Sequence, residues 1–351
     1  MKKLSIHVIV EHGEDLIPYG VAYIRDILPL THPLNSPAFR VTHSTVYARA
    51  NVIIVERTWQ PGVTLPMAQE LVAKIRYDKA CFIYSIDDNL LDLDAFPIET
   101  HMVMRYFCRE ADGICVSTEF LQQRLAHLND LIIVVPNALD EQLFNLEGEK
   151  ISLKVSGFHK KIIGYMGTFT HDADLMMILQ PLRAILRKYR ERIEMHLVGG
   201  IAGQAFLQSL QGLPVRVLHV PTIDVAYPNF VKWMKENLNW DLAIAPLEDN
   251  YFNRSKSDIK YLDYSALGIP GIYSRVPAYE NSIHHLDNGL LIWNTPSEWV
   301  KALELLITDE SLRLRLAQNA QQDVFSKRTL EVCAINWHDA VQTIYHKTTK
   351  D

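Results

Sequence analysis

Cysteine is scarce in this sequence. Four of the 351 residues are cysteine, and no two of them are spaced as a CxxC pair: Cys81, Cys108, Cys115 and Cys333. A small disulfide-based scaffold carries more cysteines, and a cysteine zinc site has them closely spaced. We therefore expect reduced thiols and a cytoplasmic protein.

Long hydrophobic runs are also missing. Nowhere do about 18 apolar residues follow one another, which a membrane-spanning helix would need. The opening segment 1–10 is apolar, but His7 interrupts it and acidic residues follow where a signal peptide would be small and neutral. We interpret this segment as a first β-strand and expect at most peripheral contact with the inner face of a membrane.

Positive charge is not in excess. The chain has 35 basic and 41 acidic residues, a net charge of −6, which argues against a protein that binds nucleic acid over a large surface. The first 150 residues carry 13 basic and 20 acidic side chains, whereas the other 201 carry 22 and 21. We therefore expect the second half to hold any polyanionic ligand.

Hydrophobic residues are plentiful, at 48% of the chain, and the length predicts about two domains. Short apolar runs alternate with amphipathic stretches, which is typical of βα units in a parallel sheet, and the pattern occurs twice. The predicted strands are Leu4–Val10, Val52–Glu56, Ala80–Ile86, Gly113–Ser117, Ile132–Val135, Lys161–Met166, Glu194–Val198, Val215–Val220, Asp241–Ala245, Gly271–Tyr273 and Gly289–Trp293.

Helices are predicted between these strands. They include Pro66–Tyr77, His101–Ala111, Glu119–His127, Asp174–Tyr189 and three consecutive helices in Pro296–Lys347. A polar stretch at 146–157 marks a boundary. The pattern predicts an α/β protein with two doubly wound, Rossmann-like domains, residues 1–150 and 151–328, followed by a last helix at about 329–348.

A lysine-rich helix start lies in the segment Asp241–Ser274. Ser255 or Ser257 is a natural N-cap, and Gly268 with Pro270 after it is a natural stop, so a helix of about ten residues is predicted between them.

Two lysines of this segment lie near the predicted helix start, and they share a face with Asp263. Lys256 and Lys260 have the wrong sign for the helix dipole unless an anion binds there. The pattern predicts a phosphate or diphosphate site. A solvated helix start with an ion pair between Lys260 and Asp263 is the alternative.

A glycine-containing strand-to-helix turn occupies Ile162–Leu175. Gly167 allows close backbone approach, and Thr170 or Asp172 can cap the following helix. The carboxyl end of the first strand is where doubly wound domains bind ligands. His171 in this turn is either a capping residue or part of the site.

Two adjacent carboxylates follow the strand Ala80–Ile86. Asp87 and Asp88 lie at its carboxyl end, and neighbouring side chains point in different directions, so one can face a cleft while the other caps the next segment. Arg57 ends a predicted neighbouring strand. A simple turn cap is the alternative interpretation.

The stretches Ile162–Leu175 and Asp241–Pro270, together with 111–121 and 134–140, resemble GT-B glycosyltransferases, in particular the family 4 retaining enzymes (glycosyl transferases group 1). The resemblance implies two domains facing a cleft and a last helix that crosses back to the first domain. It also implies sugar transfer from a nucleotide diphosphate sugar to a glycan or lipid-linked acceptor, with retention, and a role in bacterial polysaccharide synthesis. Because Lys256, Lys260 and the Gly167 loop would neutralise the leaving diphosphate, we expect that no metal ion or other cofactor is needed.

Residue by residue, the resemblance assigns Gly167 and Thr168 to the diphosphate-facing loop, Lys256 and Ser257 to the phosphates, and Asp263 to the ribose. Lys260 is expected to bind the diphosphate together with Lys256. Toward the ribose or sugar we expect three further side chains: His171, Asp172 and Asn253. The family's usual pair of glutamates falls at Ser255 and Asp263, so one carboxylate is missing.

On the acceptor side, the resemblance makes Asp87 or Asp88 the candidate to take a proton from the acceptor hydroxyl and to stabilise positive charge at the anomeric carbon. Arg57 is expected to orient these acids. Three residues after the first strand are expected to shape the acceptor pocket: Tyr19, Gly20 and Arg25.

Three other functions stay open from the sequence. A nucleotide-sugar epimerase can share this fold, and a non-catalytic sugar-nucleotide binder would fit the missing carboxylate. The segment Asp92–Asp94 is a DxD sequence, which in GT-A transferases holds a metal ion that bridges the diphosphate.

Overall fold

The computed structural model describes residues 3–93, 95–144, 160–167, 172–199 and 204–349. It contains two six-stranded, fully parallel sheets, each flanked by helices. The predicted α/β class with two Rossmann-like domains is confirmed. The boundary that we placed at 150/151 lies outside the described residues.

The first sheet has the strand order β2-β1-β3-β4-β5-β6. Its strands are β1 (Leu4–Ile9), β2 (Phe39–Ser44), β3 (Val52–Glu56), β4 (Cys81–Ile86), β5 (Gly113–Val116) and β6 (Ile132–Val134). Its helices are α1 (Gly20–Ala22), α2 (Leu28–Thr31), α3 (Leu65–Tyr77), α4 (Ile98–Glu110), α5 (Glu119–Leu125) and α6 (Glu141–Phe144), with a π-helical turn Tyr23–Ile27 between α1 and α2 and a 3₁₀ turn Leu90–Asp92.

The second sheet has the order β12-β11-β10-β7-β8-β9. Its strands are β7 (Lys161–Met166), β8 (Ile193–Val198), β9 (Val215–Leu218), β10 (Leu242–Ala245), β11 (Gly271–Ser274) and β12 (Leu290–Ile292). Its helices are α7 (Asp172–Met177), α8 (Leu179–Lys188), α9 (Gln204–Ser209), α10 (Tyr227–Asn237), α11 (Tyr251–Arg254), α12 (Ile259–Ala266), α13 (Pro277–Glu280), α14 (Pro296–Thr308) and α15 (Glu310–Lys327), with a 3₁₀ turn Thr222–Asp224.

The last helix, α16 (Leu330–Thr348), returns to the first sheet. Trp337, Val341 and Ile344 are buried in the same core cluster as residues of β1, β3 and β4. The Asn35 amide also donates to the carbonyl of Ala334 at 3.0 Å. The predicted crossing back of this helix is therefore confirmed.

Two element predictions need correction. Strand β2 was not predicted, because it is an edge strand whose side chains are mostly exposed and polar. The helix predicted over Asp174–Tyr189 is two helices, α7 and α8, with a break at Ile178. Its apolar spacing hid the break, because the buried face continues across it through Leu175, Ile178 and Leu182.

Both sheets are parallel, so each collects the polar turns after its strands at one edge. These edges meet: the segment 255–258 of the second domain contacts the loops that follow β4, β5 and β6. No helix within the described ranges is long and apolar enough to cross a membrane.

Candidate functional site

The segment 255–257, which connects α11 to α12, lies against the first domain through three polar contacts. Thr118 donates to the carbonyl oxygen of Ser255 at 2.9 Å. The Asn137 amide donates to Ser257 Oγ at 2.8 Å. Between them, Lys256 Nζ donates to Asp88 Oδ2 at 3.0 Å. The predicted donor-side lysine and the predicted acceptor-side carboxylate therefore meet where the two domains contact each other.

Lys256 is buried, with 8% of its surface exposed, and its ammonium group also lies 4.3 Å from the ring centre of Phe252. Burial favours the neutral form of Asp88, but the charges of Lys256 and Arg57 outweigh it and lower the pKa of this carboxyl. Asp88 is therefore an ionised carboxylate in this arrangement.

Helix α12 begins later than predicted. Its N-cap is Asp258, not Ser255 or Ser257, and the helix has eight residues rather than ten. Asp258 does not cap through its side chain, because its carboxylate accepts two hydrogen bonds from the Arg328 guanidinium, at 2.7 and 2.8 Å. The predicted stop is confirmed by Gly268, which adopts φ of +70°.

Lys260 lies in the first turn of α12, four residues after Lys256. Burial lowers the pKa of Lys260 to about 8, and the charge of Lys256 adds to this effect. Asp174 and Asp88 oppose it. The two cations therefore repel each other, and a bound anion between them would relieve this repulsion.

Asp263 is buried in this structure, with 5% exposed. The Tyr227 hydroxyl donates to Asp263 Oδ1 at 3.0 Å. Burial raises the pKa of Asp263 to about 7, although Tyr227 and Lys260 favour its charged form. A ribose would have to share or replace the Tyr227 bond.

Gly167 follows β7 at the edge of the cleft, and its backbone N–H donates to Val198 at 3.1 Å. The neighbouring loop contributes Gly199, whose φ is +99°. A Cβ atom on Gly199 would lie 2.1 Å from the carbonyl oxygen of Gly167. These two loops approach each other so closely that only glycine fits at position 199.

Four other residues were predicted for the donor side, three at positions 168–172 and one in α11. Thr168 and His171 lie outside the described residues, and Asp172 is the first residue of α7. Asn253 is buried, and its amide donates to Asp174 Oδ1 at 3.1 Å and to the carbonyl of Glu248 at 3.0 Å. Asn253 therefore links α11 to α7 and to the turn that follows β10.

On the acceptor side, Arg57 Nε lies 3.1 Å from Glu11 Oε2, and its Nη1 lies 3.7 Å from Asp87 Oδ1. Arg57 also has a left-handed backbone, with φ of +43°. Such backbone costs on the order of 1–3 kcal/mol and is concentrated at functional sites. Glu11 stabilises the turn by accepting hydrogen bonds from Thr58 N and Oγ1.

The pocket role expected of Arg25 needs correction. Arg25 is 1% exposed and points into the core, where it donates to Val135 O and Asn137 Oδ1 and lies over the Trp337 ring. It contacts Asn137, which in turn donates to Ser257, and its charge acts on Asp87.

Asp92, the first acid of the DxD sequence, forms an ion pair with Arg124 through both of its oxygens, at 2.7 and 2.8 Å. This contact lowers the pKa of Asp92. Asp94 lies outside the described residues. In the part of the chain that the structure describes, no three His, Cys, Asp or Glu side chains are arranged to hold a metal ion.

Sequence reasoning missed four residues that build the site: Glu11, Asn137, Asp174 and Gly199. A signal existed for two of them. Asn137 belongs to the "PN" sequence, and the pair at 199–200 follows a predicted strand as Gly167 does. Glu11 and Asp174 carry no such signal, because a buried acid and a solvated one look alike in sequence.

The chain was compared with known proteins. Residues 160–309 match the family model described as Glycosyl transferases group 1. A search of curated proteins found no match.

Among solved structures, sucrose-phosphate synthase from Thermosynechococcus elongatus has a TM-score of 0.70 at 11% identity, over 98% of this chain and 100% of that one. Anabaena HepE, in complex with UDP and glucose, has a TM-score of 0.67 at 12% identity, over 97% and 100%.

S. aureus TarM, in complex with fondaparinux, α-GlcNAc-glycerol and UDP, has a TM-score of 0.57 at 15% identity over 82% of this chain. This chain spans about half of TarM, 55% of its length. The shared fold and the family match of the second domain confirm the resemblance predicted from the sequence.

Proposed function

We propose that this chain, whose residues 160–309 form a glycosyl transferases group 1 domain, transfers a sugar from a nucleotide diphosphate sugar to a hydroxyl of a glycan or lipid-linked acceptor. One observation carries the proposal: Lys256 lies 3.0 Å from Asp88 across the cleft. A cation suited to a leaving diphosphate and a carboxylate suited to an acceptor hydroxyl thus share one site. The UDP complexes of HepE and TarM support the donor class.

On the donor side, Lys256 and Lys260 stabilise the negative charge that grows on the diphosphate as the glycosidic bond breaks. Ser257 and the backbone at Gly167 hold the same group. With two lysines at the leaving group, transfer does not require a metal ion, and activity in excess EDTA tests this. Asp263 accepts hydrogen bonds from the ribose hydroxyls. We assign Thr168 to the diphosphate, and His171 and Asp172 are the side chains that we assign to the sugar.

On the acceptor side, a carboxylate accepts the proton of the attacking hydroxyl. The acceptor oxygen forms the new bond to the anomeric carbon, and the electron pair of the broken bond leaves with the diphosphate. We assign this role to Asp88, because it contacts Lys256 in the segment 255–257. Asp87 and Arg57 lie beside it, and their charges contribute to the electrostatic potential at the anomeric carbon.

The ion pair itself links the two substrates. Lys256 lowers the pKa of Asp88 while they are paired. A diphosphate that attracts Lys256 weakens this pairing, and the pKa of Asp88 then rises. Donor binding thereby turns Asp88 into a stronger proton acceptor at the moment when transfer requires one.

A two-step experiment tests this function. A thermal-shift screen with UDP, GDP, ADP, CMP and their sugars identifies the donor, because a ligand of the native state raises the melting temperature. The selected donor is then incubated with and without hydroxyl acceptors, and NMR of the product reads the anomeric configuration. We expect an acceptor-dependent glycoside with retained configuration.

Several outcomes would contradict the proposal. A changed sugar nucleotide without any acceptor would indicate the epimerase instead. Donor binding without turnover over a broad acceptor panel would indicate a binder. A chain that no nucleotide stabilises would exclude the donor site as we describe it.

A further inference from the structure

Four carboxyl groups surround two guanidinium groups beneath the acceptor side of the cleft. The carboxyls belong to the ends of β1, β3 and β4 and to the π-helical turn, and they are Glu11, Glu56, Asp87 and Asp26. The guanidiniums are those of Arg57 and Arg25. Asp88 is not part of this count, because Lys256 neutralises it. With all four carboxyls ionised, this largely buried region would have a net charge of −2, which two bound protons would neutralise.

The geometry indicates which carboxyls carry them. Glu11 and Asp87 lie 3.1 and 3.7 Å from Arg57, so they have a cation at ion-pair distance. Asp26 and Glu56 are both 0% exposed, and within the described part of the chain neither has an ion-pair partner.

Asp26 is the more isolated of the two. Neither of its oxygens has a hydrogen bond of ordinary geometry among the described residues, and the Ser85 hydroxyl, itself without another partner there, is the near polar group that favours its charged form. Glu56 accepts one bond, from the backbone N–H of Glu11 at 2.8 Å, and its other oxygen has none. A buried ionised carboxylate without partners is strongly unfavourable, so it retains its proton instead.

Asp26 lies in the π-helical turn Tyr23–Ile27, a rare structure that is frequent at functional sites. The groups that act on its charge come from every neighbouring element: Arg25, Glu56, Asp87, Cys115 and the Ser85 hydroxyl. Those that act on Glu56 are Asp26, Glu11, Arg57 and Tyr84. Burial is the largest effect, and it raises the pKa of Asp26 to about 7 and raises that of Glu56.

We propose that Asp26 and Glu56 are positioning residues that each hold a proton, which leaves Arg57 to bind Glu11 and Asp87 at the cleft. If either were ionised, the added negative charge would attract Arg57 inward and repel Asp87. The protonation is independent of the enzyme's activity, whereas the effect on transfer rests on the proposed function.

Infrared spectroscopy of the wild-type chain tests the protonation directly, because a protonated carboxyl has a carbonyl stretch that a carboxylate lacks. At about pH 6 we expect a band of buried protonated carboxyl, to which Asp263 also contributes, and this band should decrease as the pH rises through about 7. Its absence overturns the inference, whether or not the chain transfers sugar. Asp26→Asn, which mimics the protonated acid, should remove part of this band.

Stability and kinetics give a second test. The native state keeps the Asp26 proton up to about pH 7, while the unfolded chain loses it near 3.8, the ordinary pKa of an aspartate, so the free energy of unfolding should fall as the pH rises between these values. Asp26→Asn should flatten this slope. Asp112→Asn is the matched control: Asp112 lies at the other end of the sheet and binds Arg76 at 2.8 Å, so its loss should lower stability without flattening the slope.

For transfer, kcat at saturating donor should fall about tenfold per pH unit once Asp26 ionises, and Asp26→Asn should move this fall to higher pH. A merely structural Asp26 would leave the shape of the profile unchanged. An unchanged profile together with an unchanged stability slope overturns the proposal.

Discussion

At the scale of single residues, the site depends on Lys256 and Asp88, which bind each other at 3.0 Å although they lie 168 positions apart. We also propose that Lys256 binds the donor diphosphate and that Asp88 accepts the proton of the acceptor hydroxyl. Their mutual neutralisation allows two charges to be kept in a largely buried cleft before either substrate arrives. The donor must therefore compete with Asp88 for the lysine.

Replacing Asp88 tests this competition. In Asp88→Asn the lysine is free of its ionised partner, so we expect the donor to bind more tightly, by about fivefold or ~1 kcal/mol. Transfer should fall because the proton acceptor is gone. Calorimetry for binding and product formation under single-turnover conditions separate the two effects. Weaker donor binding in this variant would contradict the competition.

Lys260 gives the donor affinity a pH dependence. Its pKa is lowered to about 8, and only its charged form attracts the diphosphate, so affinity should be highest below this value and decline as the pH rises through it. Lys260→Arg keeps the charge at higher pH and should remove the decline. Titrations of a nucleoside diphosphate at a series of pH values check this. An unaltered decline in the arginine variant would show that another group causes it.

At the scale of elements, the donor edge depends on two turns that follow β7 and β8. Gly167 and Gly199 bring these turns into direct backbone contact, as the 2.1 Å position of a Cβ atom on Gly199 shows. The backbone at Gly167, which we propose to face the diphosphate, is therefore held in position by the turn after β8. The later start of α12 also positions the site. Because the helix begins at Ile259, Lys256 lies in the preceding turn, which contacts the first domain.

Two glycine variants separate the cost of a positive φ angle from the cost of the steric clash with Gly167. Gly199 and Gly212 both have positive φ, +99° and +77°, but nothing lies within 4 Å of a Cβ on Gly212. Gly212→Ala should cost about 1–2 kcal/mol of unfolding free energy from the backbone alone. Gly199→Ala should cost roughly 1–3 kcal/mol more through the clash, and should also weaken donor binding. Denaturant unfolding measures the loss of stability, and a binding titration measures donor affinity. Equal losses of unfolding free energy in the two variants would argue against the contact between Gly199 and Gly167.

At the scale of the whole molecule, α16 ties the end of the chain to the first sheet, and Arg328 just before it holds Asp258 of the donor helix. Arg328 also donates to the carbonyl of Asn137 at 2.9 Å. One short segment thus joins both domains at the site. The relative position of the lysine and the aspartate depends on this connection as well as on their own loops.

Trp337 tests how much α16 contributes. It is 2% exposed within the core of the first sheet, so Trp337→Ala should lower the free energy of unfolding by about 3–5 kcal/mol. Trp293 is 62% exposed and provides the control, for which we expect a much smaller loss. Chemical denaturation measures both. Equal losses would show that α16 is not an integral part of the first domain.

Most strands could be predicted because both faces of each sheet are covered, which produces continuous apolar runs such as Val52–Glu56. The edge strand Phe39–Ser44 could not, since polar side chains dominate its exposed face. Lys256 was identifiable from its unusual charge near a helix start. Its pairing with Asp88, and the burial of Asp26 and Glu56, arise only when distant strand ends meet at one edge.

The central claim is that the donor diphosphate binds at Lys256. The most direct test is calorimetric titration of the wild-type chain, Lys256→Ala and the exposed-lysine control Lys301→Ala with the nucleoside diphosphate selected by the thermal-shift screen. Loss of a charge-assisted contact of about 2 kcal/mol predicts affinity roughly 30-fold lower for Lys256→Ala and unchanged for Lys301→Ala. Equal affinity of all three proteins would contradict the account.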